Sequence, residues 1–177
     1  MSEKRKLKSK DIVGYLPHGL MAKDVRGGVA LLRGYDEWAC GGVGAAFFGA
    51  GIVELCWLVP ILHPLEHLGK PIKHKGEVIV PIVELAKIIF PHGVWGVRDN
   101  KHSEISAMVE WGDWRFGYSC DGFFLRGDNN NFPHDVENQV ALFDKMDEWK
   151  IDYRGLIDDG LAVSVCDVKG VAYGVGG

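Results

Sequence analysis

The chain has 177 residues and a mass of 19.6 kDa, with 47% hydrophobic and 25% charged residues, which is ordinary globular composition and sufficient for one well-formed core. The net charge of -4 conceals an asymmetry, because residues 1–100 hold 13 basic and 10 acidic side chains whereas residues 101–177 hold 7 and 14. A concentration of basic residues, which nucleic-acid binding requires, occurs only in residues 1–10, and we interpret this segment as a flexible leader.

The cysteines and the start of the chain indicate a reducing compartment. Cys40, Cys56, Cys120 and Cys166 are far apart and form no CxxC pair, so the sequence predicts buried free thiols. The basic leader is followed by DIVGYLPHGL rather than by an apolar run with a cleavage site. We therefore expect no secretory signal.

The first half of the chain predicts a β-hairpin followed by a buried apolar segment. Gly27-Gly28 separates two apolar-rich runs, as in a two-residue hairpin turn. Residues 39–62 carry one charge and approach membrane-spanning length, but five glycines, Pro60 and the central Glu54 favour buried strands over a lipid-facing helix. We expect no membrane contact, and a homo-oligomer interface wherever this segment is exposed. The side chains predicted to lie in the core are Phe47, Phe48, Ile52, Val53, Leu55 and Leu58.

The middle of the chain predicts a strand-to-helix unit and a second hairpin. Pro81 suits the first position of a helix whose apolar face recurs at three- and four-residue steps until Pro91, and we place the covering helix at residues 83–90. Gly112-Asp113 predicts a hairpin between residues 105–111 and 114–119, and residues 123–126 extend the same sheet.

The clearest helical period lies in residues 136–149, with Asp135 as the predicted N-cap. The stripe predicted to be buried consists of Val136, Val140, Phe143, Met146 and Trp149. The other face and the turn after it are acidic, and we expect them to be exposed and to bind a basic protein partner. The predicted partner-binding residues are Glu137, Asp144, Asp147, Glu148, Asp158 and Asp159.

Together these elements predict an α+β fold, with a small, mainly antiparallel sheet and two covering helices. We assign residues 11–169 to a single domain and residues 170–177 to a glycine-rich tail.

Several motifs suggest chemistry, but their registers do not support it. His63 and His67 match the letters of a zinc HxxEH helix, yet Pro64 and Gly69 prevent a regular helix, so we predict two solvated histidines and no metal. Residues 128–131 resemble a cation-binding loop in composition only, and we predict a solvated turn. We interpret Cys120 as a structural thiol, and the sequence predicts no catalytic residue and no cofactor.

An aromatic-rich stretch follows Glu110. Its rings could stack single-stranded bases, but nearby carboxylates oppose phosphate, so we favour core and protein-interface roles. The set consists of Trp111, Trp114, Phe116, Tyr118, Phe123 and Phe124.

Four blocks of the sequence resemble a known family. They are YLPHGL at 15–20, PILHPL at 60–65, LFDKMDEW at 142–149 and RGLIDDGLA at 154–162. They resemble uncharacterised proteins encoded by phages, prophages and mobile elements of gut Bacteroides-type bacteria, which carry YLPYGL-like, ILRPLSDL-like and EWHxDxxGLI-like blocks. His63 stands where that family shows arginine, and Glu66-His67 where it shows aspartate and leucine.

The resemblance implies an accessory protein of a mobile element, in the bacterial host cytoplasm or in a virion. Our leading hypothesis is a non-enzymatic protein that binds another protein in host or phage regulation, or in defence and counter-defence. Two alternatives are a minor virion structural protein and a nucleic-acid-binding accessory protein that uses the basic leader with Lys70, Lys73 and Lys75.

Overall fold

A computed structural model describes residues 5–36, 45–98, 105–120, 122–127, 134–136 and 139–169. The described residues divide into two compact units, the first built from residues 5–64 and 147–169, the second from residues 65–146. The assignment of residues 11–169 to a single domain stays a prediction, because two compact units can belong to one domain or to two. The predicted tail at 170–177 lies outside the described residues.

The first unit contains a six-stranded sheet with the strand order β13-β5-β1-β2-β3-β4. The strands are β1 (Leu20–Asp24), β2 (Val29–Asp36), β3 (Ala45–Phe48), β4 (Gly51–Glu54), β5 (Leu58–Leu62) and β13 (Val163–Ser164). All neighbours are antiparallel except β5 and β13. The predicted first hairpin is confirmed as β1–β2, but its turn is longer than the predicted Gly27-Gly28 pair, because β1 ends at Asp24 and β2 begins at Val29. Its turn is fixed by the Asp24 carboxylate, which accepts hydrogen bonds from the Gly28 amide (2.7 Å) and the Arg26 amide (2.9 Å).

The core of the first unit lies on one face of this sheet. Leu20 on β1 pairs with Leu32 on β2, and both are buried together with Ile12 from the short helix α1 (Ser9–Ile12). Leu7 also belongs to this core, so part of the predicted leader packs against the unit. From the apolar segment, Leu55 and Leu58 are buried as predicted.

The prediction of burial is wrong for two residues of that segment. Phe47 is 45% exposed and Ile52 is 63% exposed. They are cross-strand partners on β3 and β4, and alternation along each strand places them on the face opposite the core, whereas Phe48 and Val53 pack against the core. The continuous apolar sequence of this segment therefore does not reveal that one face of the sheet is buried and the other is exposed.

The second unit contains two sheets and the helix α2 (Pro81–Ile89). A two-stranded sheet pairs β6 (Ile72–His74) with β7 (Glu77–Ile79), and a five-stranded sheet has the order β12-β11-β10-β9-β8. Its strands are β8 (Gly96–Val97), β9 (Ile105–Trp111), β10 (Trp114–Ser119), β11 (Gly122–Gly127) and β12 (His134–Asp135). The second predicted hairpin is confirmed as β9–β10. Pro81 occupies the first turn of α2, as its fixed φ angle favours.

The long helix differs from its prediction. Helix α3 spans Gln139–Glu148, and Asp135 lies in β12 opposite Phe124, so it is not the N-cap. Val140 is 84% exposed rather than buried. At 100° per residue, the buried Leu142 and Met146 share one stripe and Val140 lies on the opposite side.

The fold class is α+β, but it is mostly strands arranged in three sheets rather than one small sheet with two covering helices. The hairpin signals identified the local strand pairs. They contain no information on which pairs join into one sheet, because that depends on contacts between distant segments.

Candidate functional site

All four resemblance blocks contribute residues to a buried polar centre of the first unit. The Tyr15 hydroxyl donates a hydrogen bond to the Ile151 carbonyl (3.0 Å), and the Lys150 ammonium donates one to the His18 carbonyl (2.7 Å). The His63 amide donates to the Lys150 carbonyl (2.8 Å). Segments more than eighty residues apart in sequence are therefore joined by their own backbone and side-chain groups.

The strongest interaction of this centre joins Arg154 to Asp147. Two guanidinium nitrogens donate to the two carboxylate oxygens at 2.6 and 3.2 Å, and the Tyr153 hydroxyl donates to the same carboxylate at 3.2 Å. The guanidinium also lies over two rings, 4.7 Å from the centroid of Tyr15 and 4.3 Å from that of Tyr153. Burial alone would lower the pKa of Arg154, but the Asp147 carboxylate reverses that effect and raises it.

Gly14 makes room for this ion pair. A Cβ at that position would lie 2.7 Å from the Asp147 Cγ and 2.9 Å from the Arg154 Nη2. Both distances are shorter than any real contact of a Cβ atom, so only glycine fits without displacing the pair.

Asp152 fixes the turn that follows. Its two carboxylate oxygens accept hydrogen bonds from the Leu156 amide (2.9 Å) and the Ile157 amide (2.7 Å), and Leu156 is in the core. Burial raises the pKa of Asp152, while these two amides act in the opposite direction.

Lys150 is buried, and it lies just after the C-terminal end of helix α3, at a position where glycine is common. Its φ angle of 59° is one that lysine rarely adopts. The side chain compensates, because its ammonium donates to the carbonyls of His18 and Glu148 (2.6 Å). This centre is therefore a structural clamp, in which the donors and acceptors named above pair with one another within the protein.

The two histidines of the HxxEH letters lie in different structures. His63 forms a parallel β-bridge with Ile151 and is buried, so the prediction that it is solvated is wrong. His67 lies in a 3-10 turn (Leu65–Gly69), where burial lowers its pKa. Within the described ranges, no group of three His, Cys, Asp or Glu side chains is placed to hold a metal ion.

The predicted acidic face is divided by the fold. Asp147 is buried in its pair with Arg154, so the prediction that it is exposed is wrong. Asp159 is ion-paired with Arg5 of the predicted leader. Asp144 and Asp158 are exposed, Glu148 is half-buried, and Glu137 lies outside the described residues.

The cysteines and lysines also differ from expectation. Cys56 is half-buried, whereas Cys120 and Cys166 are exposed, so the prediction of burial is wrong for these two thiols. Cys40 lies outside the described residues.

The three lysines proposed for nucleic-acid binding differ in their surroundings. Lys70 is ion-paired with Glu66 (2.8 Å), whereas Lys73 and Lys75 are exposed on the β6–β7 hairpin. The predicted solvated turn at 128–131 is not among the described residues.

A surface that the sequence did not indicate is the outer face of the six-stranded sheet. It comprises Val29, Leu31, Phe47 and Ile52, all exposed. Phe47 pairs with Ile52, and β4 has one strand neighbour among the described residues, so it forms an edge of the sheet. The signal that could have found this face is the period-2 alternation around Phe47, which the apolar composition of residues 39–62 obscured.

In comparisons with family models, with curated proteins and with solved structures, none matches this chain. Over the part of the chain that the structure describes, no helix is both long enough and apolar enough to cross a membrane.

Proposed function

We propose that this chain is a non-enzymatic accessory protein that binds another protein through the outer face of its six-stranded sheet. The observation that carries the proposal is the pair of Phe47 and Ile52, two large apolar side chains that lie opposite each other and are both exposed. Leu31 and Val29 are also exposed on β2, where the cross-strand neighbour of Phe47 is Gly34. Exposed groups of large apolar side chains are typical of protein-interaction sites.

The edge strand supports the same proposal. Among the described residues β4 pairs with β3 alone, so its other side is an edge, and it contains neither proline nor lysine, although Glu54 ends it. An extended segment of the partner can add to β4 through main-chain hydrogen bonds while its side chains contact Ile52.

The charges next to the outer face indicate the chemistry of the partner. Lys23 lies on β1 opposite Val29, Arg33 lies two residues after Leu31 on β2, and both are exposed, whereas Glu54 lies two residues after Ile52 on β4. We therefore propose a partner with apolar side chains that carries carboxylates on the side that meets Lys23 and Arg33. The exposed members of the predicted acidic face, Asp144, Asp158 and Asp159, remain a second proposed contact, for basic groups.

We place the protein in a mobile element of a bacterial host, acting in the host cytoplasm, on the basis of the four sequence blocks that resemble that family. All four of those blocks contribute residues to the buried clamp described above. Nucleic-acid binding has weaker support, since Lys70 is neutralised by Glu66 and Arg5 by Asp11 and Asp159.

The test compares partner capture by matched variants. Phe47→Thr with Ile52→Thr removes the apolar pair and keeps strand propensity. Val78→Thr is the control, because Val78 is an exposed apolar residue on a strand of the second unit, β7. We expect a protein from a Bacteroides-type lysate to be retained by the wild type and by the control, and to be lost with the double variant at an unchanged melting temperature.

Two outcomes contradict the proposal. One is that the double variant captures the same protein as the wild type does. The other is a wild-type homodimer in light scattering that the double variant converts to a monomer, because a second copy would then occupy the outer face.

A further inference from the structure

The guanidinium of Arg5 lies against two carboxylates of the first unit. Its Nη2 donates to the Asp11 carboxylate at 2.6 Å, and its Nη1 donates to the Asp159 carboxylate. Asp11 lies in helix α1, whereas Asp159 lies in the turn that precedes β13, 154 residues further along the chain than Arg5. The guanidinium therefore fastens the segment before α1 to a turn near the other end of the sequence of this unit.

The residues that follow Arg5 also pack against the first unit. Leu7 is buried in the core cluster that contains Leu156, from the same turn as Asp159. This segment, residues 5–7, is called the strap. It has an ionic contact at Arg5 and an apolar contact at Leu7.

The apolar contact alone is insufficient to keep the strap closed. Fixing the backbone of three residues costs more free energy than the burial of one leucine side chain contributes. The ion pairs of Arg5 therefore decide the balance. The side chains of Arg5 and Asp159 are 43% and 48% exposed, so dissolved ions screen their attraction, whereas the Asp11 side chain is 6% exposed.

We propose that residues 5–7 are an ionic strap, which Arg5 closes on Asp11 and Asp159 and which dissolved ions or a basic partner open by competing with Arg5. Opening leaves helix α1 capped, because the Asp11 carboxylate also accepts a hydrogen bond from the Lys8 amide (2.9 Å). A basic segment that binds Asp159 must displace Arg5 first. This last consequence rests on the second contact of the proposed function, whereas the strap itself does not.

The test measures how fast a lysine-specific endoprotease cuts the bond between Lys6 and Leu7 in the full chain. Leu7 is buried, so cleavage requires an open strap, and the rate follows the open population when the strap opens and closes quickly. Mass spectrometry counts the chains that begin at Leu7 early in the reaction. Rates are divided by those of a short lysine peptide at the same salt concentration.

The wild-type rate should rise several-fold between about 20 and about 300 mM salt, because screening weakens the ion pairs of Arg5. A rate that is equal at the two salt concentrations would overturn the proposal.

A matched pair of arginine variants locates the ionic contact. Arg5→Gln removes both ion pairs and keeps every lysine, so it should raise the cleavage rate several-fold at low salt and abolish the salt dependence. Arg26→Gln is the control, because Arg26 is an exposed arginine in the β1–β2 turn of the same unit, and it should behave as the wild type. Cleavage of Arg5→Gln at the wild-type rate, or of Arg26→Gln at the Arg5→Gln rate, would overturn the proposal.

A variant at the other end of the strap keeps the test decisive if Arg5→Gln fails to fold. Asp159→Asn should produce part of the Arg5→Gln effect, and it should add nothing in the Arg5→Gln background, where the contact is already lost. An Asp159→Asn protein that is cut at the wild-type rate, or full additivity of the two changes, would contradict the strap. These reactions contain no partner, so their outcome is separate from that of partner capture by the outer face.

Discussion

The guanidinium of Arg154 holds the carboxylate of Asp147 through two hydrogen bonds of 2.6 and 3.2 Å, and it lies over the rings of Tyr15 and Tyr153. This pair connects the end of helix α3 with the turn that follows it and with the segment after α1. It explains why an aspartate on an acidic helix is buried.

Arg154→Lys should destabilise the first unit by about 2 kcal/mol, because lysine supplies neither the planar two-point contact nor the stacking on the tyrosines. Arg98→Lys is the matched control. Arg98 pairs with Glu110 with both side chains more than 40% exposed, so the same change should cost less than about 0.5 kcal/mol. Chemical denaturation of both variants measures the difference, and equal effects would show that the buried geometry of Arg154 has no special role.

Gly14→Ala should cost about 1–3 kcal/mol, because the new methyl group displaces the Asp147–Arg154 pair. Gly96→Ala is the control, since a Cβ there meets no atom within 4 Å. It should change the free energy of unfolding by less than about 0.5 kcal/mol. A double variant, Gly14→Ala with Asp147→Ala, should recover part of the loss. Strict additivity of the two changes would contradict the steric explanation.

Asp152 should give the stability of the protein a specific pH dependence. Burial raises its folded-state pKa above the unfolded value of about 3.9, so the folded state holds its proton more tightly. The stability contribution is therefore present below the unfolded pKa and is lost as pH rises through the folded pKa. Asp152→Asn removes this titration. We expect the difference in unfolding free energy, wild type minus Asp152→Asn, to fall with rising pH across that window and then to level off. A difference that rises with pH would contradict the inference that the pKa of Asp152 is higher in the folded state than in the unfolded state.

Substitutions on the buried side of α3 should destabilise the protein, whereas substitutions on its exposed side should not. Leu142→Ala should cost about 2–5 kcal/mol, because Leu142 is fully buried. Val140→Thr should be neutral within about 0.5 kcal/mol, since Val140 is exposed. Thermal unfolding of the two variants tests the orientation of the helix, and a large loss for Val140→Thr would restore the stripe predicted from the sequence.

The sequence by itself determined the local elements whose signals lie within a few residues. Gly27-Gly28 and Gly112-Asp113 gave both hairpins, and Pro81 gave the start of α2, because turn geometry and the φ angle of proline depend only on neighbouring atoms. The α+β class follows from these elements. On α3 the predicted stripe is confirmed for Met146 but wrong for Val140, which is exposed.

The tertiary structure alone decided which side chains face water. Asp147 and Asp144 are both acids on one helix, but Asp147 is buried against Arg154, seven residues further along the chain, whereas Asp144 is exposed. Phe47 and Phe48 are adjacent and identical, yet only Phe48 packs on the core, because the pairing of β3 with β2 and β4 fixes the face of each residue. Whether a residue is buried depends on which distant segments pack against it, and the local sequence pattern does not specify those segments.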